Sequence, residues 1–190
     1  MSRALTMLIA AALLATSASA TPSLRLPDLD NRPVDPFLAA EHAPAIVFLF
    51  ASVECPISNR YAPVVQRVHD TFAKQGVAFW LVYPNPADSP TAIREHLLAY
   101  GYPVHALRDP KHELATLTRA VVTPEAAVYD RGRALVYRGR IDDRYVSIGV
   151  ERPAATRHDL FDALTATLAG RAVREAATPA VGCYIADFVR

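Results

Sequence analysis

Residues 45–72 read AIVFLFASVECPISNRYAPVVQRVHDTF, and two hydrophobic patterns meet within them. Ala45–Phe50 is an apolar run without a charge, which is typical of a strand buried on both faces. From Tyr61 to Phe72 the apolar residues recur at steps of three and four, which predicts an amphipathic helix that ends near Gly76. The pattern therefore predicts a strand, a turn and a helix, with Cys55 at the start of the helix.

The later segments extend this plan. The predicted elements are a buried strand at Val77–Tyr83, a helix through Tyr100, a short strand at His105–Leu107, a helical stretch at Lys111–Thr118, an antiparallel hairpin of Ala126–Tyr129 and Ala134–Arg140, and a helix over Thr156–Leu168 capped by Thr156. This order predicts an α/β protein with a thioredoxin-like fold, in which helices flank a central mixed sheet.

The N-terminus has the features of an export signal. Arg3 precedes a short apolar stretch, and an Ala-x-Ala sequence ends at Ala20. The apolar stretch is too short to cross a bilayer, and no later run is long enough. We therefore predict a signal peptide at residues 1–20, a thioredoxin-like domain at residues 21–170 and a C-terminal tail at residues 171–190, in a secreted or periplasmic protein without a membrane span.

The composition limits the classes of partner. The 20 basic and 19 acidic residues nearly balance, which gives no electrostatic reason to expect a nucleic acid as partner. The six histidines show no spacing typical of a metal site, so we predict neither a metal nor a cofactor. The two cysteines, Cys55 and Cys183, would enter an oxidising compartment, where thiol pairs are commonly disulfides.

Cys55 is the strongest candidate for a catalytic residue. Unpaired N–H groups and the helix dipole at a helix start stabilise a thiolate and lower its pKa. Pro56 suits the first turn, where its missing N–H would have had no partner. A buried structural cysteine is the commoner case in general, but α/β proteins bind ligands where parallel strands lead into helices. We therefore predict that Cys55 is a nucleophile.

These residues resemble the redoxins, a family that comprises thioredoxin-like proteins and the peroxiredoxins of the alkyl hydroperoxide reductase and thiol-specific antioxidant type. The resemblance covers most of Ser23–Gly170. Thr123-Pro124 is similar to the family's cis-proline loop, which faces the active cysteine and binds the substrate backbone. The resemblance implies that Thr123 and Pro124 belong to the catalytic site, although the residues alone leave an ordinary trans proline equally open.

Two departures from the family patterns leave the reaction open. Ser58 stands where thioredoxins have a second cysteine, which excludes exchange within a Cys-x-x-Cys motif. Ser52 precedes Cys55 by three residues, as in peroxiredoxins, but Phe48 replaces their proline, so we expect slow reaction with peroxide. The resemblance thus implies either peroxide or a protein thiol or disulfide as substrate, with an external thiol reductant. Arg60 is a candidate cation for peroxide, or else a solvated helix residue.

Cys183 lies in the tail and has two interpretations. It is either a resolving thiol that condenses with oxidised Cys55, or one half of a permanent structural disulfide. We favour the reversible bond. It requires the tail to fold back from Thr178 onward, and we expect Val181 and Tyr184 to be buried there.

A charged segment follows the predicted hairpin. If the strand after Pro124 starts beside Cys55, its antiparallel partner must return to the same edge of the sheet. The returning residues Arg140, Asp142, Asp143 and Arg144 are then expected, with Ser58 and Arg60, at the rim of the site. Arg140 or Arg144 would stabilise a thiolate, unless the segment is a solvated ion-pair network.

A second class of function stays open at this point. A thioredoxin-fold carrier or binding domain, for copper or for a protein partner, would use a structural Cys55–Cys183 disulfide without catalysis. Against copper, Asn59 stands where similar copper chaperones have their second cysteine.

Overall fold

The computed structural model describes residues 24–185. Along the chain the elements are β1 (Leu26–Pro27), β2 (Pro33–Val34), α1 (Pro36–Ala39), β3 (Ala45–Phe50), α2 (Pro56–Phe72), β4 (Ala78–Tyr83), α3 (Pro90–Tyr100), β5 (His105–Arg108), α4 (Glu113–Thr118), β6 (Val122–Thr123), β7 (Glu125–Asp130), β8 (Leu135–Gly139), β9 (Tyr145–Ser147), β10 (Val150–Glu151), α5 (Asp159–Leu168) and β11 (Cys183–Tyr184). The predicted signal peptide at residues 1–20 lies outside the described residues.

A five-stranded mixed sheet forms the centre of the molecule, in the order β5-β4-β3-β7-β8. The first three strands are parallel to one another, whereas β7 and β8 run antiparallel to their neighbours. All six residues of β3 are buried, as the uninterrupted apolar run predicts. The structure confirms the thioredoxin-like α/β fold.

Side chains on the two faces of the sheet pack into two cores. Val47 and Leu49 of β3 belong to the core that contains the buried faces of α2 and α5, and Phe48 and Phe50 point into the core that contains α1 and α4. The alternation follows from the two-residue period of a strand. Helices cover both faces of the sheet, and the chain leaves the carboxyl end of β3 through a short turn into α2.

The last helix starts later than its sequence predicts. Thr156 does not cap α5, because its N–H and hydroxyl both donate to the carboxylate of Asp143, at 2.7 and 2.6 Å. The helix begins at Asp159 instead, and His158 at its N-cap makes no side-chain cap bond. The prediction was therefore wrong about the capping residue and the first helical turn.

The tail is fixed in two places, first to β8 of the central sheet and then to β6, which pairs with β11 outside that sheet. Residues 176–178 first run along β8, where the Thr178 N–H donates to the Arg138 carbonyl at 3.0 Å. Gly139 makes this approach possible, because it has a φ of 148° and a Cβ there would overlap the backbone of Thr178. The chain then crosses to β6, with which β11 pairs antiparallel.

None of the helices within residues 24–185 combines the length and the apolar character that a membrane span requires.

Tyr137 connects β8 to the start of the tail, and its removal should weaken the fold. Its buried hydroxyl donates to the Arg140 carbonyl at 2.6 Å and lies 2.7 Å from the Thr178 hydroxyl. We predict that Tyr137→Phe lowers the free energy of unfolding by about 1–2 kcal/mol in urea titration, because both groups lose a buried partner. Tyr184→Phe is the matched control, since Tyr184 is 63% exposed. Equal stability of the two variants would contradict the role of Tyr137.

Candidate functional site

Cys55 occupies the N-cap position of α2 and is only 1% exposed to solvent. The chain leaves β3 at Phe50, turns through residues 51–54 and enters the helix at Pro56. The Cys55 N–H donates to the Ser52 carbonyl at 3.2 Å, and its carbonyl accepts the N–H of Asn59. The predicted position of Cys55 at the strand-to-helix junction is therefore the observed one.

Cys183 lies against Cys55. In the β11–β6 pair, Cys183 is opposite Thr123, and this register places the two Sγ atoms 3.1 Å apart. They are not joined in a disulfide. A covalent S–S bond is about 2.05 Å long, so a movement of about 1 Å would bring the sulfurs to bonding distance.

The Thr123–Pro124 peptide bond is cis. The Thr123 carbonyl points at the thiol of Cys55 and accepts a hydrogen bond from its Sγ at 3.0 Å. The same residue pairs with Cys183 on the outer edge of β6. Thr123 thus contacts both cysteines through its backbone.

The surroundings of Cys55 lower the pKa of its thiol. Burial raises the pKa, but the side chain and backbone of Ser58 and of Cys183, as donors to the ionised sulfur, lower it further than burial raises it. Ser58 is the third helical residue, and a side chain at the N-cap ordinarily accepts the N–H at that position. Cys55 makes no side-chain cap bond as a thiol, but its thiolate would lie where it can accept the N–H of Ser58.

The Ser58 hydroxyl supplies a second donor. It is buried and makes no hydrogen bond within residues 24–185 while Cys55 is a thiol that donates to Thr123. On ionisation the Cys55 sulfur becomes an acceptor only, and the hydroxyl can then donate to it. The serine that excludes a Cys-x-x-Cys motif thus stabilises the thiolate at Cys55.

A polar network holds the turn before Cys55, and sequence reasoning missed it. Asp88 accepts the Val53 N–H at 3.3 Å, and the Asn59 side-chain amide donates to the Val53 carbonyl at 3.2 Å. The Oδ1 of Asn59 lies 2.7 Å from His96 Nε2, and His96 Nδ1 lies 2.8 Å from the Tyr83 hydroxyl. Burial lowers the pKa of His96 and so favours the neutral ring, whose Nε2 then donates to the Asn59 Oδ1. Asn59 therefore positions the turn that carries the cysteine.

Glu125 holds β6 from the side opposite the tail. It is 2% exposed, and its carboxylate accepts the N–H groups of Val121 and Val122 at 2.8 and 3.3 Å. Arg138 approaches the other oxygen at 3.4 Å, while burial raises the pKa of Glu125. Glu125 thus binds one edge of β6, and the tail pairs with the other edge.

The structure gives the predicted arginines other partners. Arg140 Nε lies 2.7 Å from Asp159, and Arg144 Nε lies 3.1 Å from Glu151. Arg60 is also 3.5 Å from Glu151, and its side chain is 63% exposed. Arg140 and Arg144 thus contact carboxylates in this structure, and the groups that lower the pKa of Cys55 are Ser58 and Cys183.

The two aspartates of the same segment are buried in structural contacts. Asp142 accepts the Tyr61 hydroxyl at 2.6 Å, and Asp143 accepts from Thr156 and from the Arg157 N–H. These bonds hold the segment after β8 against α2 and against the residues before α5. Within residues 24–185, no group of three or more His, Cys, Asp or Glu side chains could hold a metal ion.

The tail returns to the Cys55 site, but one detail of its burial differs. Val181 packs against the core, as expected, whereas Tyr184 is 63% exposed. Neighbouring strand residues point to opposite sides, so the orientation that aims Cys183 at Cys55 turns Tyr184 to solvent. Ile185 is buried in its place, at 3% exposure.

Removal of the Ser58 hydroxyl tests its effect on Cys55. We predict that Ser58→Ala raises the pKa of Cys55 and slows its alkylation at neutral pH, because the thiolate loses a donor. The pKa is measured from the pH dependence of the alkylation rate in the reduced protein. Ser52→Ala is the matched control, since Ser52 contacts Cys55 through its carbonyl. A pKa unchanged in Ser58→Ala would contradict the role of the hydroxyl.

Comparison with known proteins places the chain in a family. Residues 18–141 match the model of the AhpC/TSA family. No curated protein sequence matches the chain.

Solved structures extend the comparison over most of the chain. A hypothetical protein from Sinorhizobium meliloti 1021 is 29% identical, with a TM-score of 0.74, over 85% of this chain and 88% of its own. An uncharacterized conserved protein from Geobacillus kaustophilus has the same identity and TM-score, over 86% of this chain and 88% of its own. A secreted Mycobacterium tuberculosis disulfide oxidoreductase homologous to E. coli DsbE has the same fold, with 18% identity and a TM-score of 0.53, over 78% of this chain and 96% of its own. By its sequence match and its fold, the chain belongs to the AhpC/TSA family of redoxins.

Proposed function

We propose that this redoxin is an exported thiol-disulfide oxidoreductase, in which Cys55 is the nucleophile and Cys183 the resolving thiol. The observation that carries the proposal is the 3.1 Å separation of the two sulfurs beside the carbonyl of Thr123. The lowered pKa of Cys55 supports it, because the thiolate is the reactive form. Export is supported by the export-signal pattern of residues 1–20 and by the secreted oxidoreductase with the same fold.

The proposed reaction is a two-step thiol-disulfide exchange. The Cys55 thiolate attacks one sulfur of a partner disulfide, the partner's S–S bond breaks, and its second sulfur leaves as a thiolate that takes up a proton. Cys183, once deprotonated, then attacks the Cys55 sulfur of the mixed disulfide and releases the partner's first sulfur. The partner gains two electrons, and the Cys55–Cys183 disulfide is reduced again by an external dithiol.

The contacts of the site favour exchange with disulfides over reduction of peroxide. Arg60, the candidate cation for peroxide, contacts Glu151 instead of Cys55. Phe48, which replaces the peroxiredoxin proline, is fully buried in the core. Neither residue gives Cys55 the surroundings of a peroxiredoxin cysteine, whereas Cys183 places a second thiol 3.1 Å from its sulfur. Both observations therefore favour exchange with a disulfide.

The same substitution at the two cysteines separates their roles. We predict that Cys55→Ser abolishes disulfide reductase turnover, whereas Cys183→Ser reacts once with a protein disulfide and then stops as a mixed disulfide. The resolving thiol is missing in the second variant, so its steady-state rate should fall to roughly the uncatalysed level. Mass mapping identifies the trapped bond. Normal cycling of Cys183→Ser would show that Cys183 has no resolving role and would favour a one-cysteine mechanism.

Reaction with hydrogen peroxide provides a separate test. We predict that peroxide oxidises Cys55 no faster than it oxidises a free thiolate of similar pKa, because Arg60 is paired with Glu151 and Phe48 replaces the proline. Single-turnover oxidation is followed by loss of free thiol in the reduced protein. Oxidation that is faster by orders of magnitude would assign the chain to the peroxidases.

A further inference from the structure

The tail occupies the edge of β6 as a bound peptide would. Cys183 and Tyr184 pair with Thr123 and Val122, and the Ile185 N–H donates to the Val121 carbonyl at 2.9 Å. The strand has one contact with the core on either side of its cysteine, because Val181 is partly buried and Ile185 is 3% exposed. Main-chain hydrogen bonds with side-chain pockets at intervals are the features of recognition by strand addition.

The residue before the tail cysteine is under a steric constraint. A Cβ on Gly182 would overlap the Thr123 carbonyl carbon and oxygen and come within 3.1 Å of the Pro124 nitrogen. These are backbone atoms, so no side-chain rotation can relieve the overlap. The Thr123 carbonyl also accepts from Cys55, and a shift of this group would disturb the thiol. Only glycine fits at this position while the cysteine beside it faces Cys55.

The proposed function requires a partner sulfur to reach Cys55, which is 1% exposed beneath the tail. Binding of an extended partner segment beside Thr123-Pro124 is what the cis-proline loop of redoxins implies. We propose that such a segment must displace residues 181–185 from the edge of β6, and that its reacting cysteine must be preceded by glycine. This inference rests on the proposed thiol-disulfide exchange. The partner's cysteine takes the place of Cys183, so the carbonyl that excludes a Cβ at residue 182 excludes a Cβ at the same place in the partner.

Competition for one edge also gives a way to release the product. The partner and the tail cannot pair with β6 together, so the tail leaves when the partner segment binds. Residues 176–178 stay anchored on β8, which keeps Cys183 near the site. When the tail returns, Cys183 attacks the mixed disulfide, and residues 181–185 displace the partner strand in the same event.

The test uses two peptides and the full chain with Cys183→Ala, which keeps the tail backbone but cannot resolve. The peptides are Val-Gly-Cys-Tyr-Ile and Val-Val-Cys-Tyr-Ile, each as a mixed disulfide with 5-thio-2-nitrobenzoate. Attack by Cys55 joins it to the peptide sulfur and releases the coloured thiolate, whose absorbance gives the rate. Each rate is divided by the rate with free N-acetylcysteine, which corrects for the intrinsic reactivity of the peptide.

We expect the glycine peptide to react roughly tenfold faster or more, the scale on which a site rejects a side chain it cannot fit. Gly182→Val in the same background should speed the reaction with the glycine peptide, because the tail no longer competes. Equal normalised rates for the two peptides would overturn the glycine requirement while leaving thiol exchange intact. The disulfide of two 5-thio-2-nitrobenzoate molecules serves as a small substrate without a peptide. If Cys55 attacks neither this disulfide nor either peptide, the proposed function itself fails.

Discussion

The pairing of Cys183 with Thr123 is the contact on which the juxtaposition of the two thiols depends. Two short strands, β6 and β11, bring together thiols that are 128 residues apart in the chain. The closure is achieved in steps, since residues 176–178 are first fixed to β8 and only the last residues must reach β6. A disulfide across a loop of this length would stabilise the fold by about 5 kcal/mol in the chain-entropy model. The oxidised tail would therefore be held much more firmly than the reduced one.

The reactivity of Cys55 and the access to it are set by the same few groups. Ser58 favours the thiolate from the helix side, and Cys183 does so from the tail side. In the proposed exchange, departure of the tail would expose the sulfur to a partner and remove the hydrogen bond from Cys183, so Ser58 and the start of α2 would have to stabilise the thiolate. The network of Asn59 and His96 keeps the preceding turn in place throughout.

The central part of this arrangement is predictable from sequence because its signals are local. The apolar run of β3 and the helical period of α2 define a junction, and the junction locates Cys55. The partners of Arg140 and Arg144 are not predictable in this way, because Asp159 and Glu151 reach them from other segments. Glu125 is a single acid beside Pro124, and His96 is a single histidine in a helix, so neither stands out in the sequence. Their roles become visible only when the structure shows that they are buried and which groups they bind. The exposure of Tyr184 follows from the register of β11, which no local pattern specifies.

The reduction potential of the bond between Cys55 and Cys183 tests most directly whether this bond is reversible and catalytic. The protein would be equilibrated in thiol-disulfide buffers of graded potential, quenched by alkylation and mapped by mass spectrometry. The account predicts a Cys55–Cys183 disulfide that forms and opens between roughly −120 and −270 mV, the range of catalytic dithiols. A bond that persists below about −300 mV would identify a structural disulfide, and failure of the bond to form at any potential would contradict the account altogether.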